Sequence, residues 1–217
     1  IVICGAGIAG VASAYHLAAV NGCNNVVLVE AESPLSMTSD KSTEAYRNWW
    51  PGPDWAMTAY MNRSIDLLEE VARTSDNRIN LNRRGYLFAS ADTSKAAWLS
   101  EMASMAERSG AGPVRTHEAG SRSHVPSPVS GFEMPLTGAD IITDAALIRE
   151  HFPYLAPETC VVAHARRAGW LSAQQLGMVM LERARASGVQ MIKGRVSGVE
   201  TTRNRVSKVH IEQADGL

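Results

Sequence analysis

The chain begins with a short apolar run that leads directly into a glycine-rich loop. Residues 1–4 read Ile-Val-Ile-Cys, a pattern typical of a buried parallel strand, and residues 5–10 read Gly-Ala-Gly-Ile-Ala-Gly. In this G-x-G-x-x-G pattern, Gly5 permits a tight turn, Gly7 lets the backbone approach a pyrophosphate, and Gly10 lets the helix lie close to the strand. Free N–H groups at the start of that helix then bind the phosphates.

An acidic residue completes the pattern. The next apolar strand, residues 26–30, ends at Glu30, twenty residues after Gly10. Strand, helix and strand within about 30 residues form a βαβ unit. A carboxylate at Glu30 accepts hydrogen bonds from ribose hydroxyls and repels a 2′-phosphate, which favours FAD or NAD over NADP. The alternative is an ordinary glycine-rich turn with Glu30 in solvent. The candidate cofactor-binding residues of this motif are Gly5, Gly7, Ile8, Ala9, Gly10, Glu30 and Ala31.

Composition and residue spacing argue against several kinds of partner and binding site. The 217 residues carry a formal net charge of −1, which gives no reason to expect nucleic acid or a membrane surface as a partner. The three cysteines have no metal-type spacing, and the six histidines are scattered, so we expect no metal site. The odd cysteine count favours a reducing compartment, and we expect a cytoplasmic protein. The apolar stretch 1–20 contains glycines, Tyr15 and His16, so we expect neither a signal peptide nor a membrane span.

The pattern along the chain predicts an interrupted α/β domain. Residues 1–80 open a cofactor domain, residues 81–165 leave it for a second layer, and residues 166–217 return with a helix and strands. Within this plan, apolar spacing predicts helices over 54–73, 94–109, 144–151 and 172–187. Strands are predicted at 85–89, 189–192, 196–200 and 206–211, while 31–53 and 111–140 are expected to be mostly loop.

The opening motif, followed by the hydroxyl-rich loop 38–43 and then Arg47, resembles the D-amino-acid oxidase superfamily of FAD-dependent oxidoreductases. The branch of sarcosine oxidase, glycine oxidase and dimethylglycine dehydrogenase is the most similar. Residues 84–88 are similar to its first substrate-domain strand, and residues 169–171 to its return to the cofactor domain. The resemblance covers essentially the whole chain. It implies a Rossmann-like FAD-binding domain with a parallel sheet, interrupted by part of an α+β substrate domain whose remainder is absent.

The resemblance also implies roles for individual residues around FAD. Ser39, Ser42 and Thr43 would supply hydroxyl donors, and Lys41 a positive charge near the flavin. Val196 would bind the adenine through its backbone N–H and C=O. The alternatives are a solvated polar loop and a core valine.

Arg47 corresponds in order to an arginine that binds the substrate carboxylate in sarcosine oxidase. A guanidinium suits this role because it can bind a carboxylate through two parallel hydrogen bonds. The alternative is a surface ion pair with Glu44. Three tryptophans follow within a few residues, Trp49, Trp50 and Trp55, and they either form a wall of the substrate pocket or anchor the loop on the core.

The implied reaction is oxidation of the C–N bond of a small amine or amino acid. Hydride would pass from the substrate to flavin N5, leaving an imine, and oxygen or an electron carrier would reoxidise the flavin. Two other classes stay open: an NAD-dependent dehydrogenase, and a non-catalytic flavoprotein-like assembly or binding module. We expect this segment alone to be inactive, and the sequence leaves the substrate and a possible oligomer open.

Overall fold

The computed structural model describes residues 1–41, 44–52, 54–121 and 124–213, without the side chain of Asp40. The chain divides into two compact units. The first unit comprises residues 1–43 and 172–217, and the second unit comprises residues 44–171. The division of the chain into cofactor and substrate domains at residues 80 and 165 stays a prediction.

The described residues form a series of strands and helices. The strands are β1 (Val2–Cys4), β2 (Val27–Glu30), β3 (Ala45–Arg47), β4 (Tyr86–Ser90), β5 (Val114–His117), β6 (Ala139–Ile142), β7 (Val161–Ala165), β8 (Ala168–Trp170), β9 (Gln190–Lys193), β10 (Arg195–Thr202) and β11 (Arg205–Glu212). The helices are α1 (Ile8–Tyr15), which runs into a π-helical turn at His16–Val20, α2 (Thr38–Lys41), α3 (Ala56–Arg73), α4 (Lys95–Arg108), α5 (Ala145–His151) and α6 (Ala173–Ala186).

The first unit contains a parallel sheet in the order β1–β2–β9. The register places Ile3 beside Leu28, and Leu28 beside Met191. The predicted parallel α/β sheet is therefore confirmed. Helices α1 and α6 pack against each other, and α6 begins where the side chain of Ser172 accepts a hydrogen bond from the N–H of Gln175.

The antiparallel strands β10 and β11 complete the first unit as a hairpin. Its turn consists of Arg203 and Asn204, both with positive φ (52° and 58°). Two consecutive residues with positive φ give the turn a twist that matches the twist of paired strands.

The second unit contains a four-stranded sheet in the order β4–β7–β6–β5. Strands β5 and β6 run parallel, and the other two neighbouring pairs are antiparallel. Helix α4 packs against β5, β6 and β7. Its buried residues join the alanine-rich core of that sheet, Leu99, Ala103, Ala106, Ala139, Ala163 and Ala165.

Strand β7 is buried along its whole length, yet the sequence pattern did not predict it. The reason is that the run Val161–Ala165 includes His164, whose imidazole is 1% exposed and belongs to a buried ionic cluster described below. A polar residue in a fully buried strand hides the apolar pattern by which such strands are identified. No helix in the described part of the chain combines the length and apolarity needed to cross a bilayer.

Candidate functional site

The glycine loop between β1 and α1 has a tight geometry. Gly5 has φ +93°, a conformation that residues with a side chain rarely adopt, and its N–H donates to the carbonyl of Val29 over 2.7 Å. A Cβ atom on Gly10 would lie 1.9 Å from the carbonyl oxygen of Gly5, so only glycine fits there. In contrast, a Cβ atom on Gly7 would meet nothing within 4 Å, so the space beside Gly7 is open.

Glu30 lies against this loop at the end of β2. Its Oε2 accepts a hydrogen bond from the N–H of Ala6 over 2.6 Å, and its Oε1 accepts one from the N–H of Glu32 over 2.8 Å. These bonds, with the one from Glu32 the stronger influence, lower the pKa of Glu30, so the side chain is a carboxylate at neutral pH. Each oxygen still has a free lone pair, so the carboxylate can accept further hydrogen bonds from a ligand.

An open pocket of about 370 Å³ lies beside the loop and Glu30. It brings together six of the predicted cofactor residues, Gly7, Ile8, Ala9, Glu30, Ala31 and Ser39. Gly5 and Gly10 shape the loop itself. The pocket also includes Thr38 of the hydroxyl-rich loop 38–43, and five residues that the sequence pattern did not single out, namely Glu32, Ser33, Leu35, Ser36 and Met37. A general rule would have found some of them, because the segment that follows the acidic strand end lies next to the ribose position.

Helix α6 supports the segment that lines this pocket. Leu35 is buried with φ +62°, an uncommon conformation for a residue with a side chain, and its N–H donates to the carbonyl of Ala6 over 2.9 Å. On the α6 side, the amide of Gln174 donates to the carbonyl of Leu35 over 3.0 Å. A Cβ atom on Gly177 would lie 2.4 Å from Cδ1 of Leu35, so the absence of a side chain there admits Leu35.

The other predicted cofactor residues have mixed placements. The Lys41 ammonium donates to the carbonyl of Ser36 over 2.9 Å, at the end of the short helix α2. Ser42 and Thr43 lie outside the described residues. Val196 is half-buried in β10, where it pairs with Ile211 of β11, and it is not among the residues that line the pocket. The roles assigned to these residues stay predictions.

Arg47, the predicted carboxylate ligand, belongs to the second unit. Its Cζ lies 4.3 Å from the centre of the Trp50 ring and 4.9 Å from that of the Tyr86 ring. Its Nε is buried and has no hydrogen-bond partner. Among the described residues, no carboxylate, including that of Glu44, forms an ion pair with Arg47. The guanidinium is therefore held by aromatic rings and keeps hydrogen-bonding capacity unused.

The neighbouring tryptophans differ from one another. Trp49 is buried in the core of the second unit, with its ring centre 4.4 Å from that of Phe88. Trp50 is half-buried beside Arg47, while Trp55 is exposed. Trp49 thus has the anchoring role that is the commoner use of tryptophan, and Trp50 contacts a candidate site residue.

A buried ionic cluster around Asp140 is the feature that sequence reasoning missed. Arg115 Nε lies 2.6 Å and His117 Nε2 3.1 Å from Oδ1 of Asp140, and Arg166 Nη1 lies 3.2 Å from Oδ2. Burial by itself raises the pKa of Asp140, but the hydrogen bonds from Arg115 and His117 outweigh it and lower the pKa. No local spacing marks this cluster, because its members come from three separate segments of the second unit.

The histidines of the second unit surround this cluster. His164 Nδ1 lies 2.9 Å from Arg166 Nη1, which can only donate, so the proton of the neutral ring is on Nε2. Burial, followed by the charge of Arg166, lowers the pKa of His164 to about 4. Burial also lowers the pKa of His124 to about 4. Both rings are therefore neutral at pH 7.

Three of these groups have atoms close enough to share a metal ion: His117, His124 and Asp140, within 4.8 Å of one another. However, the guanidiniums of Arg115 and Arg166 already contact the Asp140 carboxylate. A divalent cation would add positive charge to a buried site where two cations face one anion, at a high electrostatic cost. The cluster is better suited to hold β5, β6 and β7 together than to bind a metal, and the expected absence of a metal stays a prediction.

Comparisons with known proteins agree with this fold. Residues 1–217 match the family profile described as DAO, FAD dependent oxidoreductase. The comparison with curated protein sequences gives no match. Among solved structures, L-proline dehydrogenase from P. horikoshii is similar with a TM-score of 0.74 at 18% identity, over 97% of this chain and 48% of that protein.

Two oxidases show a similar relationship. Glycine oxidase from Bacillus cereus matches with a TM-score of 0.73 at 16% identity, over 98% of this chain and 52% of its own. Iminodiacetate oxidase from Chelativorans sp. matches with a TM-score of 0.65 at 22% identity, over 99% and 53%. The chain thus spans about half the length of these proteins. Because the family profile covers its whole length, the chain belongs to the DAO family of FAD dependent oxidoreductases, and its cofactor is FAD.

Proposed function

We propose that this chain forms part of an FAD-dependent oxidoreductase that oxidises the C–N bond of a small amine or amino acid. The observation that carries the proposal is the pocket beside the glycine loop and Glu30. There the Ala6 N–H donates a hydrogen bond to the Glu30 carboxylate, and the chain that contains this pocket belongs to the DAO family. The similar structures named above act, by their names, on proline, glycine and iminodiacetate, all of which carry an amine and a carboxylate.

The residues around the pocket fit the adenosine half of FAD. The open space beside Gly7 would admit the pyrophosphate, and the N–H groups at the start of α1 would bind it. The ionised Glu30 would accept hydrogen bonds from the ribose hydroxyls. Ser39, Lys41, Ser42 and Thr43 would follow the cofactor toward the flavin, and Val196 would contact the adenine.

Arg47 is the residue we assign to the substrate. Its guanidinium has a buried Nε without a partner, and none of the described carboxylates neutralises it. A substrate carboxylate bound there would be held by two parallel hydrogen bonds, which fix its orientation as well as its position. FAD, when bound, accepts the hydride that leaves the substrate carbon. The chain's contribution is to orient a neutral amine, so we assign no general base.

The test is flavin reduction in the protein as it occurs with its cofactor. In anaerobic stopped-flow experiments with N-methylated, D- and L-amino acids, at least one should bleach the flavin absorbance. Arg47→Lys should then raise KM about tenfold or more for that amino acid, because the lysine ammonium cannot form the two-bond fork. Arg108→Lys, a change at an exposed arginine of α4 in the same unit, is the matched control and should leave KM unchanged.

Two results would contradict the proposal. If no amine or amino acid reduces the flavin, the non-catalytic binding module becomes the better description. If an amino acid reduces it but Arg47→Lys and Arg108→Lys behave alike, the carboxylate is bound elsewhere and only the role of Arg47 fails.

A further inference from the structure

The guanidinium of Arg47 is held in an unusual way for a partly buried cation. Its Cζ lies 4.3 Å from the Trp50 ring centre and 4.9 Å from the Tyr86 ring centre, both within the range of a cation–π interaction. Elsewhere in the same unit, buried arginines contact carboxylates, as Arg83 does with Glu69 and Arg166 with Asp140. Arg47 therefore contacts the faces of two aromatic rings, whereas Arg83 and Arg166 contact carboxylates.

The two rings are themselves fixed. The indole N–H of Trp50 donates to the carbonyl of Arg47 over 3.1 Å, which ties the ring to the residue it contacts. The Tyr86 ring lies 5.1 Å from that of Phe88, which packs in turn on the buried Trp49. Arg47 is thus held by side chains that have little freedom to move with it.

This arrangement has a consequence for hydrogen bonding. All donors of a guanidinium lie in its plane and point outward, whereas an aromatic ring attracts the cation through the face of the ring and occupies no N–H in the way that a carboxylate does. A protein carboxylate would both hold Arg47 and occupy its fork. The rings hold it while leaving the fork open, in agreement with the unpartnered Nε.

We propose that Trp50 and Tyr86 are positioning residues that hold Arg47 in place of a protein carboxylate, so that its fork is kept for the carboxylate of an amino-acid substrate. This inference rests on the proposed function and narrows it, because it makes amino acids rather than simple amines the substrate class. The two rings shield one side of the guanidinium from water. The carboxylate that neutralises Arg47 is then the carboxylate of the substrate.

The experiment compares ring removal with ring retention in the flavin-loaded protein. Trp50→Leu and Tyr86→Leu remove a ring, while Trp50→Phe and Tyr86→Phe keep one. Propionate, which has a carboxylate but no amine, is the binding probe, and its dissociation constant is read from the perturbation of the flavin spectrum. KM and kcat are measured with the amino acid that reduces the flavin and with the same amine lacking its carboxylate.

The Leu variants should weaken propionate binding and raise KM for the amino acid by about 2- to 30-fold, the range of a cation–π interaction of about 0.5–2 kcal/mol, with kcat little changed. The Phe variants should recover most of the affinity. KM for the amine without the carboxylate should not move in any variant. Trp98→Leu is the matched control, because Trp98 also contacts a cation, Lys95, at 5.9 Å, but belongs to α4 and not to the Arg47 site.

The outcomes separate the two proposals. If Arg47→Lys weakens propionate binding and both Leu variants leave it unchanged, the positioning role is wrong and the proposed function stands. If Arg47→Lys leaves propionate binding unchanged as well, both the carboxylate site and its positioning are wrong. Should Tyr86→Leu fail to fold, Trp50→Leu decides the matter alone, since Tyr86 packs against the buried core of the second unit whereas Trp50 is not part of that cluster.

Discussion

The main-chain N–H of Ala6 donates a 2.6 Å hydrogen bond to Oε2 of Glu30. This bond joins the glycine loop after β1 to the carboxyl end of β2, so the two parts of the motif that we propose contact the dinucleotide are fixed to each other. In the proposed cofactor site, Glu30 would therefore have a structural task and a ligand-binding task at once. Substitutions at this residue should be interpreted with both tasks in mind.

Glu30→Gln keeps the shape of the side chain and removes its charge. We expect the FAD dissociation constant to rise about 10- to 100-fold, because hydrogen bonds to a charged group are worth about 1.5–3 kcal/mol. Glu32→Gln, a change at the neighbouring carboxylate of the same pocket, is the control. Fluorescence titration of the protein with FAD measures both, and an equal loss in the two variants would point to general charge instead of a specific bond.

Two glycines of the loop should respond differently to the same change. Gly10→Ala places a Cβ atom 1.9 Å from the carbonyl oxygen of Gly5, so we expect loss of folding stability as well as of FAD binding. Gly7→Ala meets no protein atom within 4 Å, and Gly7 has φ −69°, which alanine adopts freely. It should change the free energy of unfolding by less than about 1 kcal/mol, since no contact or backbone strain is added.

FAD binding by Gly7→Ala should nevertheless be weak, because the new methyl group would occupy the space through which the backbone meets the pyrophosphate. Thermal unfolding without cofactor and FAD titration distinguish the two variants. Tight FAD binding by Gly7→Ala would show that the cofactor does not approach the loop at this point.

Gly177→Ala on α6 should destabilise the first unit. Alanine is the better helix former by about 1 kcal/mol, but its methyl group would lie 2.4 Å from Cδ1 of the buried Leu35, and overpacking of this kind costs about 1–3 kcal/mol. We expect a net loss in the free energy of unfolding by denaturant. In the Leu35→Ala background the same change should stabilise the helix, and a loss of equal size in both backgrounds would refute the contact as its cause.

The second unit should lose stability in mild acid. His124 and His164 have folded-state pKa values of about 4, against 6.5 for a free imidazole, so the unfolded chain binds more protons between these values. The contribution of these two histidines to the free energy of unfolding is therefore full above pH 6.5, falls as the pH drops towards 4, and levels off below pH 4. The interval from pH 6.5 to 5 isolates this effect, because carboxyl groups titrate lower.

Denaturant unfolding at pH 7.5, 6.5, 5.5 and 5.0 measures this dependence. His164→Gln should reduce the slope of the unfolding free energy against pH, since one of the two buried imidazoles is gone. An unchanged slope in His164→Gln would mean that His164 does not titrate as its burial requires.

The sequence predicts those parts of the fold that depend on the spacing of residues within a short segment. The β1–α1–β2 unit, the acidic end at Glu30 and the helices predicted over 94–109 and 172–187 all depend on spacing within one short segment. The apolar spacing predicts the first helix over Val11 to Val20, whereas α1 begins at Ile8, because the last residues of the glycine loop are themselves helical.

The features that escaped prediction depend on residues far apart in the chain. Asp140 collects partners from β5 and from the residue after β7, and Arg47 is held in part by Tyr86 of β4. The local sequence around each of these residues contains no pattern that predicts its partner. Arg47 itself was found only through resemblance, and its aromatic surroundings required the fold.

The pairing of β2 with β9 has a consequence for the order of folding. Val27 lies beside Gln190, so a chain leaving the ribosome from its N-terminus cannot complete this sheet until the whole second unit has been synthesised. Contacts between such distant segments carry a large loop-closure cost and form late. Strand β2 therefore stays without its partner β9 until residues 44–171 have been synthesised. The β1–α1–β2 motif is thus made before the second unit and its sheet is completed after it, which makes chaperone protection during synthesis valuable for the segment that we propose binds FAD.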